Sequence, residues 1–184
     1  MNAVYLQAIG SVPPQVLDWV EATVAEWCPW PVKRLNALPF PEGSYDTQRA
    51  QYKSVEIMKV LARCAPVDAA RILGVTEGDL AIPTLTFVFG QAQLDGPVAV
   101  VSLSRLRQEF YGLPGDEALL RERVVKEVLH EFGHTFGLTH CAESKCVMSL
   151  ATDIGLVDNK EERYCGRCGE HLVHRFAAPD REAK

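Results

Sequence analysis

The sequence predicts an α/β (α+β) fold, with a mixed twisted sheet and helices in an N-terminal lobe. The order of apolar patterns is strand, helix, strand, helix and two more strands, followed by a long helix. Within residues 116–136, apolar side chains recur at spacings of three and four, which indicates that long helix. Little strand pattern follows residue 140, so we expect a small C-terminal lobe built mostly from loops.

Length and composition favour one domain, spanning residues 1–184, with an N-terminal lobe of about 1–137 and a C-terminal lobe of about 138–184. The net charge is −5, and no basic patch of the kind that binds nucleic acid is evident. No apolar run approaches the roughly 20 residues of a membrane span, so no membrane contact is expected. No charged leader precedes the first apolar residues, which favours a cytoplasmic location. A monomer is the simplest expectation.

The individual elements follow from apolar spacing and from prolines and glycines that mark their ends. Asp46 or Thr47 is expected to cap the second helix. The strand at residues 80–89 is expected to break at Pro83, and residues 90–96 to form a turn or short edge segment. A last helix is expected near residues 160–164 or 170–176. The other predicted elements are strands at 3–9, 32–38 and 97–103, and helices at 14–28, 47–64, 67–73 and 116–136.

The most informative stretch is His130-Glu131-x-x-His134-x-x-Gly137-x-x-His140. On a helix, His130 and His134 lie one turn apart on the same face, where they can take two corners of a zinc tetrahedron. Gly137 can adopt a positive φ, end the helix and bring His140 back as a third ligand. Three nitrogens with an open fourth position are typical of a catalytic zinc. Glu131 then lies where its carboxylate can accept a proton from an activated water.

A second set of candidate ligands is the series Cys141, Cys146, Cys165 and Cys168, spaced C-x4-C and C-x2-C. Four thiolates can close a tetrahedral structural zinc site and supply folding free energy to a lobe too short for a large core. The alternatives are four free thiols or a redox-active Cys165–Cys168 pair. Metal binding is favoured because that pair lacks the preceding strand of a thioredoxin-like motif. The sequence therefore predicts two Zn2+ per chain, one catalytic and one structural.

The stretch from His130 to His140 resembles the long zinc motif of the metzincin metallopeptidases. Together with the four cysteines, it makes the last third of the chain similar to the archaemetzincin family. The interval from Met148 to Cys165 is one residue shorter than the family pattern, which we interpret as a loop variation. The resemblance implies a metzincin-like fold with a zinc-stapled C-terminal lobe, and Met148 as the Met-turn residue beneath the histidines.

The site residues predict zinc-dependent hydrolysis of a peptide or protein substrate, with small peptides or protein termini as the expected substrates. Aminopeptidase-like trimming and internal cleavage both stay open. The resemblance names the family that shares this chemistry. It implies substrate pairing along an edge strand, for which the candidates are Gly90, Gln91, Ala92 and Gln93. Two other readings stay open: a zinc-stabilised peptide-binding or regulatory protein, and a cysteine module that mediates contacts. Glu131 argues against the first of these, because metal binding alone needs no base, and the lack of a basic cluster argues against nucleic acid as a partner of the second. Tyr164 is a candidate oxyanion donor, whereas His171 and His174 are expected to be ordinary surface or core residues.

Overall fold

The structure, a computed structural model, describes residues 2–177 and contains a mixed α/β architecture. Two short 3-10 turns, Ser104–Leu106 and Gln108–Tyr111, lead into the long helix. The strands are β1 (Ala3–Ile9), β2 (Val32–Arg34), β3 (Tyr45–Asp46), β4 (Gln51–Lys53), β5 (Ala69–Thr76), β6 (Leu80–Ala81), β7 (Gly90–Ala92) and β8 (Val98–Ser102). The helices are α1 (Pro14–Trp27), α2 (Ser54–Cys64), α3 (Glu117–Thr135), α4 (Ile154–Asn159) and α5 (Gly166–Ala177).

A five-stranded sheet in the order β2-β1-β5-β8-β7 carries the fold. Its first four strands are parallel, and β7 pairs antiparallel with β8 at one edge. Helices α1 and α3 pack on one face and α2 on the other, so the central strands are buried on both sides. The predicted mixed sheet is confirmed, and a small sheet in the order β3-β4-β6 adds to it.

The long helix and the residues after it share one core with α1 and the sheet. Val128, Leu129 and Phe132 of α3 are almost completely buried there. Val147 and Val157, from the C-terminal part, belong to the same cluster. The segment that contains Val147 and Val157 is therefore packed against the same core as the helix that carries the histidines. Within residues 2–177, no helix is both long enough and apolar enough to cross a membrane.

The largest error of the sequence-based prediction is the helix expected at residues 67–73. Those residues lead into β5, the central strand, which pairs with β1 on one side and β8 on the other. Ile72 packs against the α2 side of the sheet and Leu73 against the α1 and α3 side. Burial on both faces removes the polar alternation that identifies a strand, so a short apolar run was mistaken for a helix.

Three boundaries were also wrong. Helix α2 begins at Ser54, and Asp46 instead accepts the backbone N–H groups of Gln48 and Arg49 at 3.0 and 3.2 Å in a turn. The strand predicted at 32–38 ends at residue 34, and the strand predicted at 80–89 ends at residue 81. Residues 82–87 form a loop after that strand. Of the two positions considered for the last helix, 170–176 lies within α5, while residues 160–164 are not helical.

Candidate metal and catalytic sites

Helix α3 and the turn that follows it position the histidines. The Asp116 side chain caps the helix by accepting the N–H of Leu119 at 3.0 Å. At the other end, Gly137 has φ +86 and donates its N–H to His134 O at 2.9 Å. A positive φ is readily adopted by glycine and strains other residues, so this position ends the helix and reverses the chain toward His140. The predicted turn is therefore present.

The histidine cluster comprises His130, His134 and His140, whose side-chain nitrogens lie within 4.8 Å of one another. His130 Nδ1 donates to Val147 O at 2.8 Å, and His134 Nδ1 donates to Leu138 O at 2.6 Å. Because carbonyl oxygens only accept hydrogen bonds, the protons are fixed on Nδ1 and both Nε2 lone pairs are available.

The spacing of the two Nε2 atoms tests whether zinc fits. They are 3.2 Å apart, and tetrahedral zinc with Zn–N bonds of about 2.0–2.1 Å places two ligand nitrogens about 3.3 Å apart. Burial, followed by the charge of Lys160, lowers the pKa of His130 well below its ordinary value. Burial also lowers the pKa of His134 and His140. The imidazoles are therefore kept neutral, which is the form that binds a metal.

Glu131 is buried beside the histidines and against the edge strand. A Cβ built at Gly90 would lie 2.5 Å from Glu131 Cγ and 2.7 Å from its Oε1, so the carboxylate occupies the space that this glycine leaves. Burial, with the nearby Glu127 second, raises the pKa of Glu131 well above its ordinary value. A raised pKa makes a carboxylate a stronger base, which suits proton abstraction.

A buried ion pair under the histidines was missed by the sequence analysis. Lys160 Nζ lies 3.2 Å from Glu127 Oε1 and 3.5 Å from His130 Nδ1, and both charged side chains are at least 97% buried. Burial raises the pKa of Glu127, while Lys160 opposes that shift. Glu127 lies one helical turn before Glu131, and this spacing of two acidic residues on one helix face could have identified Glu127 from the sequence. Lys160 belongs to no sequence motif, so nothing in the sequence indicated that it pairs with Glu127.

The cysteine cluster comprises Cys141, Cys146, Cys165 and Cys168, whose sulfurs lie within 4.8 Å of one another. Cys141 Sγ and Cys165 Sγ are 3.8 Å apart, too far for a disulfide but matching the spacing of about 3.8 Å that Zn–S bonds of about 2.3 Å produce in a tetrahedron. Cys165 N–H donates to Cys146 Sγ at 3.3 Å. The donor set and its spacing fit zinc.

The surroundings of this cluster shift the pKa values of its thiols in different directions: the pKa of Cys141 is lowered, whereas burial raises those of Cys146 and Cys168. Burial opposes ionisation of Cys141, but the backbone N–H of Glu143 and the Arg167 guanidinium lower its pKa to about 7. Cys165 directly precedes α5, and Cys168 lies in its first turn. Burial raises the pKa of Cys168, so a metal has to displace its proton.

Met148 lies beneath the helix that carries the histidines and is fully buried. Its Sδ would be 2.5 Å from a Cβ built at Gly133, and a Tyr164 ring carbon would be 3.1 Å from that Cβ. Gly133 therefore lets the methionine approach the helix between His130 and His134. Gly133 was not among the predicted site residues, although a glycine inside a helical pattern is itself a sign of close packing.

A cavity of about 530 Å³ opens in front of the histidine cluster. Gly90, Gln91 and Ala92 of the edge strand β7 line it together with Glu131. Gln93, the fourth predicted residue, lies beyond the strand and outside the cavity lining, so that part of the prediction is wrong. Its N–H donates to Val98 O at 2.9 Å and begins the turn to β8.

Tyr164 and His171 make structural contacts away from the cavity, and His174 is exposed. The Tyr164 hydroxyl is buried and donates to Leu129 O at 2.6 Å, so the expectation that it serves as an oxyanion donor is wrong. His171 Nε2 lies 3.0 Å from Phe136 O at the end of α3 and donates to it. Among residues 2–177, neither His171 nor His174 belongs to a group of potential metal ligands.

Comparison with known proteins places these features in a family. The model of Peptidase family M54 matches residues 30–174. The archaemetzincin of Methanocaldococcus jannaschii is 39% identical over 173 residues, which cover 92% of each chain. The crystal structure of archaemetzincin from Methanopyrus kandleri has 39% identity and a TM-score of 0.85, covering 96% of both chains. The structure of a zinc-dependent peptidase from Methanocorpusculum labreanum has 33% identity and a TM-score of 0.81, covering 92% of this chain and 99% of that one.

Proposed function

The chain belongs to peptidase family M54, the archaemetzincins, and is a zinc metallopeptidase. From that premise we propose that His130, His134 and His140 hold a catalytic zinc and that Glu131 is the general base. One observation supports this proposal above all: His130 Nε2 and His134 Nε2 lie 3.2 Å apart, and the buried carboxylate of Glu131 lies beside them. When bound there, zinc polarises a carbonyl and lowers the pKa of water to about 7.

The residues of the chain itself carry the proton transfers. Glu131 accepts a proton from the attacking water and then donates it to the leaving amine. Its burial removes competing solvent and raises its pKa, so that it can hold the proton between the two steps. Val147 O and Leu138 O keep the two imidazoles in the tautomer that leaves Nε2 free. Met148 supports the helix from below as the Met-turn residue.

A second zinc ion, held by Cys141, Cys146, Cys165 and Cys168, completes the proposal. All four positions of a tetrahedron are then filled by protein, which leaves no place for a substrate. Since Cys141 is adjacent to His140, a zinc held by the cysteines would also fix the position of His140, the third proposed ligand of the catalytic zinc. Thiolate ligation of this kind suits a reducing compartment, so we place the protein in the cytoplasm. The proposed organisation is one catalytic domain that acts as a monomer.

Substrate binding is proposed along β7. A peptide in extended conformation adds to the edge of this strand, and its scissile bond then lies over the histidines. Gly90 keeps the edge close to Glu131 because it has no Cβ. Both internal cleavage and trimming of protein termini fit this arrangement. With a net charge of −5, nucleic acid is not an expected partner.

Replacement of Glu131 by Ala or Gln tests the proposal. Peptide hydrolysis should fall by about 10²–10⁴-fold, while the zinc content stays at the wild-type value. Glu122→Ala is the matched control, because Glu122 lies on the same helix with its side chain exposed. Wild-type hydrolysis by Glu131→Ala would exclude its role as base. A zinc-loaded wild type that binds library peptides without cleaving them would favour a binding protein.

A further inference from the structure

Three exposed leucines surround the cavity in front of the histidine cluster. Leu85, Leu94 and Leu150 are 52%, 58% and 55% exposed, and all three line that cavity. They come from separate segments: the loop after β6, the turn after β7 and the residues after Met148. Single exposed leucines are ordinary, but three around one cleft indicate a surface on which apolar groups are buried.

The charged side chains that line this cavity are not available to bind a charged side chain of a substrate. Apart from the histidines, they are Glu127, Glu131 and Lys160. Glu127 and Lys160 pair with each other at 3.2 Å, and Glu131 is assigned to the proton transfers. A charged substrate side chain would lose its hydration without gaining a free partner of opposite charge, which is unfavourable. The cavity therefore favours apolar side chains.

One side of the cavity is formed by residues 82–87, here called the wall loop, which contributes Ile82, Leu85 and Phe87 to the lining. The backbone of the loop makes few hydrogen bonds to itself. The N–H of Leu85 donates to Ile82 O at 3.3 Å, which is long for a hydrogen bond. Its shape therefore depends on side chains from elsewhere.

Arg49 supplies most of that support. Its guanidinium donates to three backbone carbonyls of the wall loop, those of Ile82, Leu85 and Thr86, at 3.0, 2.6 and 2.7 Å. Its Nε donates to Gln51 Oε1 at 2.9 Å, which orients the guanidinium. Three carbonyls on one planar donor group fix both the position and the curvature of the loop.

A second arginine fixes the end of the wall loop. The guanidinium carbon of Arg105 lies 4.2 Å from the centre of the Phe87 ring. Arg105 is itself held by two hydrogen bonds to Asp79, at 2.7 and 2.8 Å. Asp79 also accepts from Gln51 Nε2 at 2.8 Å, so the two arginines belong to one network behind the loop.

We propose that the wall loop selects peptide substrates with apolar side chains next to the scissile bond, and that Arg49 is the positioning residue that holds this loop in its binding shape. This inference rests on the proposed peptidase function. Arg49 lies behind the loop and does not line the cavity, so it acts through the loop and not on the substrate.

The substrate preference is tested with a peptide library that varies the two residues flanking the cleaved bond. Wild type should cleave apolar members best, and Leu85→Asp should lower kcat/KM for them by about tenfold or more. Leu113→Asp is the matched control, since Leu113 is 53% exposed and does not line this cavity. Cleavage by wild type without an apolar preference overturns the inference alone. A wild type that cleaves no peptide contradicts the proposed function as well.

The role of Arg49 is tested with Arg49→Ala and Arg49→Lys. Loss of its hydrogen bonds should raise KM for apolar peptides about tenfold and leave kcat nearly unchanged, with lysine intermediate because it lacks the planar group. Amide hydrogen exchange at residues 82–87 should become faster in Arg49→Ala, a readout that needs no activity. Arg34→Ala, at the opposite edge of the sheet, is the control. Unchanged exchange and KM in Arg49→Ala would overturn the assignment.

Discussion

The histidine and cysteine clusters lie next to each other in the chain but differ in how many ligands they offer and how open they are. The histidine cluster has three nitrogens, with His134 half-buried and His140 exposed at a cavity of about 530 Å³. The cysteine cluster has four sulfurs, three of them on buried residues. An incomplete ligand set beside a cavity suits chemistry, whereas a complete set within packed residues suits folding. The adjacent residues His140 and Cys141 therefore belong to sites with different proposed tasks.

The difference predicts that the cysteine cluster controls stability. Cys168→Ser should remove one thiolate from the complete set and destabilise the protein by about 4–5 kcal/mol or more, because loss of a structural metal is among the costliest changes. Thermal denaturation of the zinc-loaded protein measures this effect. Cys64→Ser is the control, since Cys64 lies outside the cluster. Equal melting temperatures of Cys168→Ser and wild type would contradict the structural role.

The buried Glu127–Lys160 pair joins α3 to the segment between the second and third cysteines. Lys160→Met should cost about 3–5 kcal/mol, because Glu127 then stays buried without its partner. Glu127→Gln combined with Lys160→Met should recover part of that loss. Urea denaturation measures both. Arg163→Ala, which breaks the exposed pair with Glu161, is the control and should change stability by less than about 1 kcal/mol.

Gly90 should matter for activity and, because its replacement overpacks a buried side chain, for stability as well. The Cβ of Gly90→Ala would contact Glu131 Cγ at 2.5 Å and displace the carboxylate, which should lower kcat by up to about 10²-fold. Peptide hydrolysis and thermal denaturation, measured together, separate the two effects. Gly169→Ala is the control, because a Cβ there meets no atom within 4 Å. Full activity of Gly90→Ala would show that Glu131 does not need this space.

The smallest expected effect concerns Gly133, the α3 residue whose missing Cβ lets Met148 pack closely against the helix. Alanine gains about 1 kcal/mol of helix propensity but places its Cβ 2.5 Å from Met148 Sδ, and overpacking of this kind costs about 1–3 kcal/mol. Gly133→Ala should therefore be destabilising by about 1 kcal/mol, while Gly169→Ala in α5 should be stabilising by a similar amount. Denaturation curves of the two variants compare them directly. A stabilised Gly133→Ala would exclude the close packing.

The sequence was most informative where chemistry requires a fixed spacing. His130, His134 and Gly137 follow from helical geometry and a positive φ, and the mixed sheet follows from the order of apolar runs. β5 was missed because burial on both faces erases the alternation on which a strand prediction depends.

Contacts between distant parts of the chain carried no local signal. Lys160 contacts Glu127, which is 33 positions away in the sequence. Arg49 contacts the wall-loop residues Ile82 and Leu85, which are 33 and 36 positions away. Gly90 faces Glu131 across 41 positions of sequence, and its role is visible only once β7 is placed beside α3. Such pairs depend on tertiary packing, which a periodic pattern does not encode.

Zinc content per chain, measured by elemental analysis on protein purified without chelator, tests the central claim of two separate sites most directly. Wild type should bind two zinc ions, and so should His174→Ala, which replaces an exposed histidine outside both clusters. His134→Ala should bind one, with little change in melting temperature. One zinc in wild type that His134→Ala does not remove, or loss of both ions in that variant, would contradict the claim.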